Sequence, residues 1–154
     1  MFEECRLEGE VTLSSGRKSS VFYDFDLLQP RETAQYVEQL IDQIPKELWN
    51  EVDFIASPAL GGIVPGFLVA FAKRKPFVIV DKEGKTRGPE FKTGKYLIVD
   101  DVITSFQAAR KVVVACGPGC MAVGVAAYIF RGNREDLAKQ NCPAFYLSRK
   151  EQEV

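Results

Sequence analysis

Five apolar runs dominate the chain: "VDFIAS" (52–57), "PFVIVD" (76–81), "KYLIVDD" (95–101), "MAVGVAAYIF" (121–130) and "PAFYLS" (143–148). None alternates strictly between apolar and polar residues, as a strand with one wet face would. A run that is apolar at consecutive positions is buried on both faces, as parallel strands are. Stretches with helical patterning separate most of these runs. Strands alternating with helices lead to one fold class: α/β, a mainly parallel central sheet flanked by helices.

The intervening segments carry matching signals. "RETAQYVEQLIDQI" follows Pro30 and places Tyr36, Leu40, Ile41 and Ile44 on one helical face, with the proline suited to the first turn. "GGIVPGFLVAFAKRK" reads as a glycine turn opening a helix with a basic C-terminal end, where cations complement the helix dipole. "FQAARKVVVACG" and "REDLAKQN" are expected helices, and "KEGKTRGPEFKTG" (82–94) is an expected loop. The first thirty residues hold a polar turn, "SSGRKSS", between β-like runs "EVTL" and "VFYDFDL". The length of 154 residues suits a single domain spanning 1–154. There is no internal repeat or long linker.

A formal net charge of −1 gives no electrostatic reason to expect nucleic acid or an anionic membrane as partner. No apolar run approaches the length of a membrane span, and "MFEECRLEGE" is too acidic for a signal peptide, so a cytoplasmic protein is expected. Cys5, Cys116, Cys120 and Cys142 fit no paired zinc spacing. The chain contains no histidine, which removes Ser-His-Asp triads, Cys-His pairs and His-ligated zinc.

In parallel sheets, ligands bind at the carboxyl ends of strands where strand order reverses. Four segments qualify: "SPALGG", "DKEGKTRG", "DDVITSFQ" and "FRGN". No Walker loop is present, since "GPEFKTGKY" has one residue too many and Tyr96 where Ser or Thr is needed. "GPGCMA" (117–122) matches a dinucleotide fingerprint in letters but precedes a strand instead of following one. The adjacent carboxylates Asp100 and Asp101 suit polyol hydroxyls or hydrated Mg²⁺. They equally suit a cap on the next turn. On the residues alone the two readings stand level.

"YLIVDDVITSFQAARK" resembles the phosphoribosyl-pyrophosphate (PRPP) motif of type I phosphoribosyltransferases. Three more segments, in matching order, are similar to the orotate branch of that family: "VTLSSGRKSSVFYDFD", "SPALGGI" and the basic loop "DKEGKTRG". The resemblance implies transfer of ribose 5-phosphate from PRPP to a base, orotate above all, with Mg²⁺ carried on the diphosphate and no direct protein ligand. It implies that Asp100 and Asp101 hold the ribose hydroxyls, and that Thr104, Ser105, Phe106, Gln107 and Ala108 wrap the 5′-phosphate. Pro58, Ala59, Leu60, Gly61 and Gly62 would serve the pyrophosphate, with Lys18 also on the PRPP side. Lys82, Lys85 and Arg87 would act catalytically together with Asp101, reaching over the site from the other subunit of a homodimer. Phe22, Tyr23 and Arg131 would meet the base, under a hood formed by residues 1–30.

Departures accompany the likeness. Ser14 stands where a lysine is common in the family, Gly61 where the family has lysine or another residue, and Arg87 replaces the usual histidine of the basic loop. Phe106 and Gln107 replace a small residue and a hydroxyl in the phosphate loop. The chain leaves no room for the family's extra N-terminal helix and longer C-terminal segment. Two other readings therefore stand beside orotate transfer: use of another base, and a non-catalytic PRPP- or nucleotide-binding homologue.

Overall fold

The computed structural model describes residues 1–12, 16, 18–138 and 141–150. Ser14 and Arg17, both within the N-terminal segment singled out above, lie outside the described residues. The N-terminal ribbon pairs β1 (Arg6–Thr12) with β2 (Lys18–Tyr23), antiparallel and separate from the main sheet. The main sheet contains β3 (Phe54–Pro58), β4 (Phe77–Val80), β5 (Thr86–Arg87), β6 (Gly94–Val99), β7 (Val102–Ile103), β8 (Cys120–Phe130) and β9 (Ala144–Arg149). Its order runs β5-β4-β3-β6-β8, with β9 and the short β7 both paired to β8. Every pairing in it is parallel except β4–β5.

The expected fold class is therefore the one found, and its cause is visible in β6. Tyr96 and Ile98 join one core cluster, Leu97 and Val99 the other, and all four are buried. One cluster packs under α1 (Pro30–Gln43), α2 (Lys46–Glu51) and α3 (Ile63–Lys73). The other packs under α4 (Gln107–Cys116). A short α5 (Arg134–Ala138) connects β8 to β9. Among the described residues no helix is long and apolar enough to cross a membrane.

Several boundaries differ from the sequence expectation. The helix after Pro30 buries the expected Leu40 and Ile44, holds Tyr36 and Ile41 at the margin of the same core, and adds Thr33 and Val37 to its inner face. The run at 52–57 enters the sheet only at Phe54, because Val52 caps α2. α2 itself was not expected: a single buried Trp49 anchors it, and one apolar anchor makes no periodicity. The polar segment 82–94 contains β5, which pairs along β4 through Ile79–Arg87 and Val80–Thr86.

The chain leaves β3 through α3 to β4 on one side, then returns to β6 on the other side of β3. Strand order thus reverses between β3 and β6. The turns that follow these two strands border a common crevice.

Candidate active site

The turn after β3 and the acids after β6 are in direct contact. A Cβ built on Gly61 would lie 2.7 Å from the Asp101 carboxyl carbon, so no larger residue fits without moving that acid. This explains glycine at a position the resemblance left open. Across the same turn, the Gly62 amide bonds to the Pro58 carbonyl at 3.1 Å and the Ala59 amide to the Val80 carbonyl at 2.8 Å. The Ala59–Leu60 peptide is cis, and the Leu60 side chain is exposed.

Asp100 and Asp101 are held by backbone on both sides. The Asp100 amide donates to the Ala126 carbonyl at 2.9 Å, and the Tyr128 amide to the Asp101 carbonyl at 3.0 Å. The Asp100 carboxylate accepts the Asp101 amide at 2.8 Å, and the Asp101 carboxylate accepts the Val102 amide at 2.7 Å. Both acids are partly buried. Burial pushes Asp100 well above the usual carboxylate range, and the neighbouring charge of Asp101 adds to the push. Burial raises Asp101 as well, against the pull of its hydrogen bonds.

That direction has a stability consequence. A carboxyl whose pKa is higher folded than unfolded costs stability as pH rises from the ordinary carboxylate range through its folded value. Above the folded value the penalty is complete. Asp100→Asn keeps an acceptor for the Asp101 amide and removes the charge. Its Tm is expected to exceed the parent's at pH 8, with the gap closing as pH falls to about 4. Each kcal/mol recovered should raise Tm by roughly 2–4 °C in a domain of this size. Thermal unfolding of both proteins across that pH range checks it; a variant less stable at pH 8 would give the acid a purely structural role.

Beyond the acids, Phe106 occupies the cap of α4 with φ 64°, the left-handed region that usually favours glycine. The expected glycine geometry is present, and the ring has gone inward. It is 2% exposed and packs 5.9 Å from the Phe130 ring. No side chain caps α4, so its first-turn amides, from Gln107 onward, remain directed at the loop. Thr104 is buried beside them.

Arg131, at the end of β8, fastens the N-terminal ribbon. Its guanidinium donates to the Val21 carbonyl at 2.9 Å and to the Ser19 hydroxyl at 3.2 Å, and lies 5.4 Å from the Tyr23 ring. Tyr23 shares a strand face with Ser19 and Val21, whereas Phe22 points to the opposite face, as successive strand residues must. The structure thus brings Tyr23 to Arg131 and not Phe22. Lys18 is exposed and pairs with Glu10 at 3.9 Å, and among the described residues no ion pair joins it to Asp100 or Asp101.

The basic loop is likewise not brought to the acids of its own chain. Among the described residues no hydrogen bond or ion pair joins residues 81–88 to Asp100 or Asp101. Instead the loop folds along the β4 edge, and Lys111 of α4 donates to the Lys82 carbonyl.

Sequence reasoning missed two features. A cavity of about 740 Å³ adjoins Asp101, lined by Phe25, Leu28, Leu60, Ile63 and Phe67, with Tyr128 among its walls. Among the described residues the buried Tyr128 hydroxyl has no hydrogen-bond partner, and burial pushes it well above the usual phenol range. The signal was a lone hydroxyl in the otherwise apolar "VAAYIF". Asp81 is the second, a carboxylate that organises the basic loop.

No protein-family model matches the chain. Individual proteins do. It is 34% identical to the orotate phosphoribosyltransferase of Campylobacter jejuni, in an alignment covering 100% of this chain and 86% of that one. It is 33% identical to the orotate phosphoribosyltransferase of Parvibaculum lavamentivorans, covering 81% and 69%. Among solved structures, the fold matches orotate phosphoribosyltransferase from Aeropyrum pernix with a TM-score of 0.81 at 23% identity, over 94% of this chain and 88% of that one. Adenine phosphoribosyltransferase from Thermoanaerobacter pseudethanolicus matches with a TM-score of 0.70 at 17% identity, over 93% and 95%.

Proposed function

The chain belongs to the orotate phosphoribosyltransferase family, and from that membership we propose how its residues divide the reaction. It transfers the phosphoribosyl group of PRPP to orotate: N1 of the base displaces pyrophosphate at C1 and orotidine monophosphate forms. The observation that carries this reading is the contact between Gly61 and Asp101. With the Ala59 and Gly62 amides bonded to carbonyls and Pro58 lacking an N–H, the turn has its Leu60 and Gly61 amides to offer a diphosphate, directly against Asp101, an acid able to accept ribose hydroxyls.

Asp100 and Asp101 take the ribose hydroxyls, and the amides at 104–108 take the 5′-phosphate at the N-terminus of α4. The inward ring of Phe106 supports this, because it leaves those amides uncovered. Among the described residues no group of three or more His, Cys, Asp or Glu is arranged to hold a metal. The two carboxylates are hard oxygen donors of the kind hydrated Mg²⁺ accepts, which suits an ion arriving on the diphosphate. Bound there, Mg²⁺ supplies charge neutralisation of the leaving group.

The acting form is a homodimer. Val64, Phe67 and Phe71 on one side of α3, and Leu60 in the turn before it, are 55%, 57%, 77% and 73% exposed. An apolar stripe of that kind beside an apolar cavity supports pairing with a second copy. A partner's Lys82, Lys85 and Arg87 then reach the acids that the loop does not reach in its own chain. The charged, water-soluble substrates support a cytoplasmic site of action.

On the base side, Arg131 and Tyr23 recognise orotate under the β1–β2 hood. Arg131→Ala should lower kcat/KM for orotate by about 10- to 100-fold, the worth of a charged hydrogen bond, and uracil use far less. Arg131→Lys should not rescue it, because lysine lacks the planar fork. Equal losses for both bases would leave Arg131 as a fastener of the hood alone.

The direct test supplies PRPP, Mg²⁺ and a panel of bases, and measures pyrophosphate release. Release with orotate above all others is expected. Release only with a purine, or none with any base, would overturn the reading. In the same assay Asp100→Asn should weaken PRPP binding by roughly 1.5–3 kcal/mol.

A further inference from the structure

The basic loop presents a physical puzzle. Lys82, Lys85 and Arg87 are three exposed cations within six residues with only Glu83 among them, and their mutual repulsion opposes a compact turn. They are instead folded into a tight turn, and the residues that hold it take no part in the proposed transfer reaction. Asp81 binds the turn through every polar group it has. Its carboxylate accepts the amides of Glu83 at 3.0 Å and Lys85 at 2.9 Å. Its carbonyl accepts the Gly84 amide at 3.0 Å, and its amide donates to the Lys85 carbonyl at 2.9 Å. Its second carboxylate oxygen lies 3.4 Å from Arg87 Nε. Gly84 supplies the positive φ of 81° that the turn requires. A second tie comes from elsewhere in the fold: Lys111, one turn into α4, donates to the Lys82 carbonyl.

We propose that Asp81 and Lys111 are positioning residues that latch the basic loop in its folded-back state, and that a diphosphate releases it by taking the Arg87 guanidinium from Asp81. Asp81 holds Arg87 by a single contact through Nε with the arginine largely exposed, whereas a diphosphate can take the whole guanidinium fork and carries more charge. Lys111 adds a second hold, tying the loop to the helix that follows the phosphate loop of the same chain. The hydrogen bonds at Asp81 also keep its carboxyl below the usual range, first through the Lys85 amide, so the latch persists throughout neutral pH.

The latch can be tested without turnover; only its release rests on the phosphoribosyl-transfer reading. Amide hydrogen exchange is measured on the ligand-free protein, on Asp81→Ala and on Lys111→Met. Exchange at Glu83 and Lys85 should quicken about tenfold or more in the first and measurably in the second. Unchanged exchange in both overturns the latch. Binding of inorganic pyrophosphate with Mg²⁺ is then measured by calorimetry on the parent and on Asp81→Asn. The asparagine keeps an acceptor for the two amides but gives up the ionic hold on Arg87, so it should bind pyrophosphate several-fold more tightly. Equal affinity overturns the release step, since a merely structural Asp81 would not compete with the anion. A parent that binds no pyrophosphate counts against the transfer reading instead, and the exchange data still decide the latch.

Discussion

Lys82→Ala and Lys85→Ala are expected to lower turnover by about two to three orders of magnitude, the usual cost of removing one preorganised charge partner from a transition state. PRPP affinity should change much less. As the bond to C1 breaks, negative charge grows on the diphosphate, and a cation brought over it gains most at that moment. Steady-state kinetics with separately measured PRPP affinity distinguish the cases; equal losses in both would make the lysines simple binding residues. Sharing between subunits adds a sharper form. Mixing Lys82→Ala with Asp101→Asn should restore measurable turnover, because each heterodimer contains one site with both partners intact. No recovery in verified heterodimers would assign the loop to its own chain.

Phe106 should dominate a different measurement. Phe106→Ala is expected to cost roughly 3–5 kcal/mol of folding stability, the range for truncating a buried phenyl ring. The ring is 2% exposed and belongs to the cluster that includes Ile98, Val112 and Phe130. Phe106→Gly removes one carbon more, yet it relieves the left-handed backbone, worth about 1–2 kcal/mol. The glycine variant should therefore be no less stable than the alanine one. Denaturant unfolding of both decides it. A loss below about 1 kcal/mol in Phe106→Ala would mean that the ring is not an anchor. Affinity for ribose 5-phosphate in the folded fraction should survive the alanine change, since amides and not the ring receive the phosphate.

The strands and the longer helices were legible because each has a repeated physical cause. Consecutive apolar residues such as Tyr96 to Val99 need cover on both sides, and only a sheet between helix layers provides it. The acid pair was legible as a pair but not as a site until Gly61 was found against Asp101, a contact between residues forty positions apart. What was least legible lies where one residue decides an element. Trp49 alone anchors α2, and a two-residue pairing alone makes β5. Phe106 was legible in outcome, since a helix that needs an apolar anchor at its first turn draws the ring away from the ligand; the left-handed backbone that makes this possible is what only the structure shows. Arg131 was legible as a cation at a strand end. Its bonds to Ser19 and Val21 depend on a ribbon more than a hundred residues earlier in the chain.

The pairing of β5 with β4 has a consequence for colloidal behaviour. β4 would otherwise be the outermost parallel strand, offering a row of unpaired peptide groups to any passing sheet. Two residues of an antiparallel hairpin close part of that row, and Lys82, Lys85 and Arg87 surround the closure with positive charge. Each time the hairpin lifts away, the edge is bared and only those cations repel a second molecule. Alanine variants of the loop made to study turnover thus remove a guard against sheet-to-sheet association. Light scattering at rising protein concentration should show them aggregating sooner than the parent, most of all where diphosphate keeps the hairpin lifted.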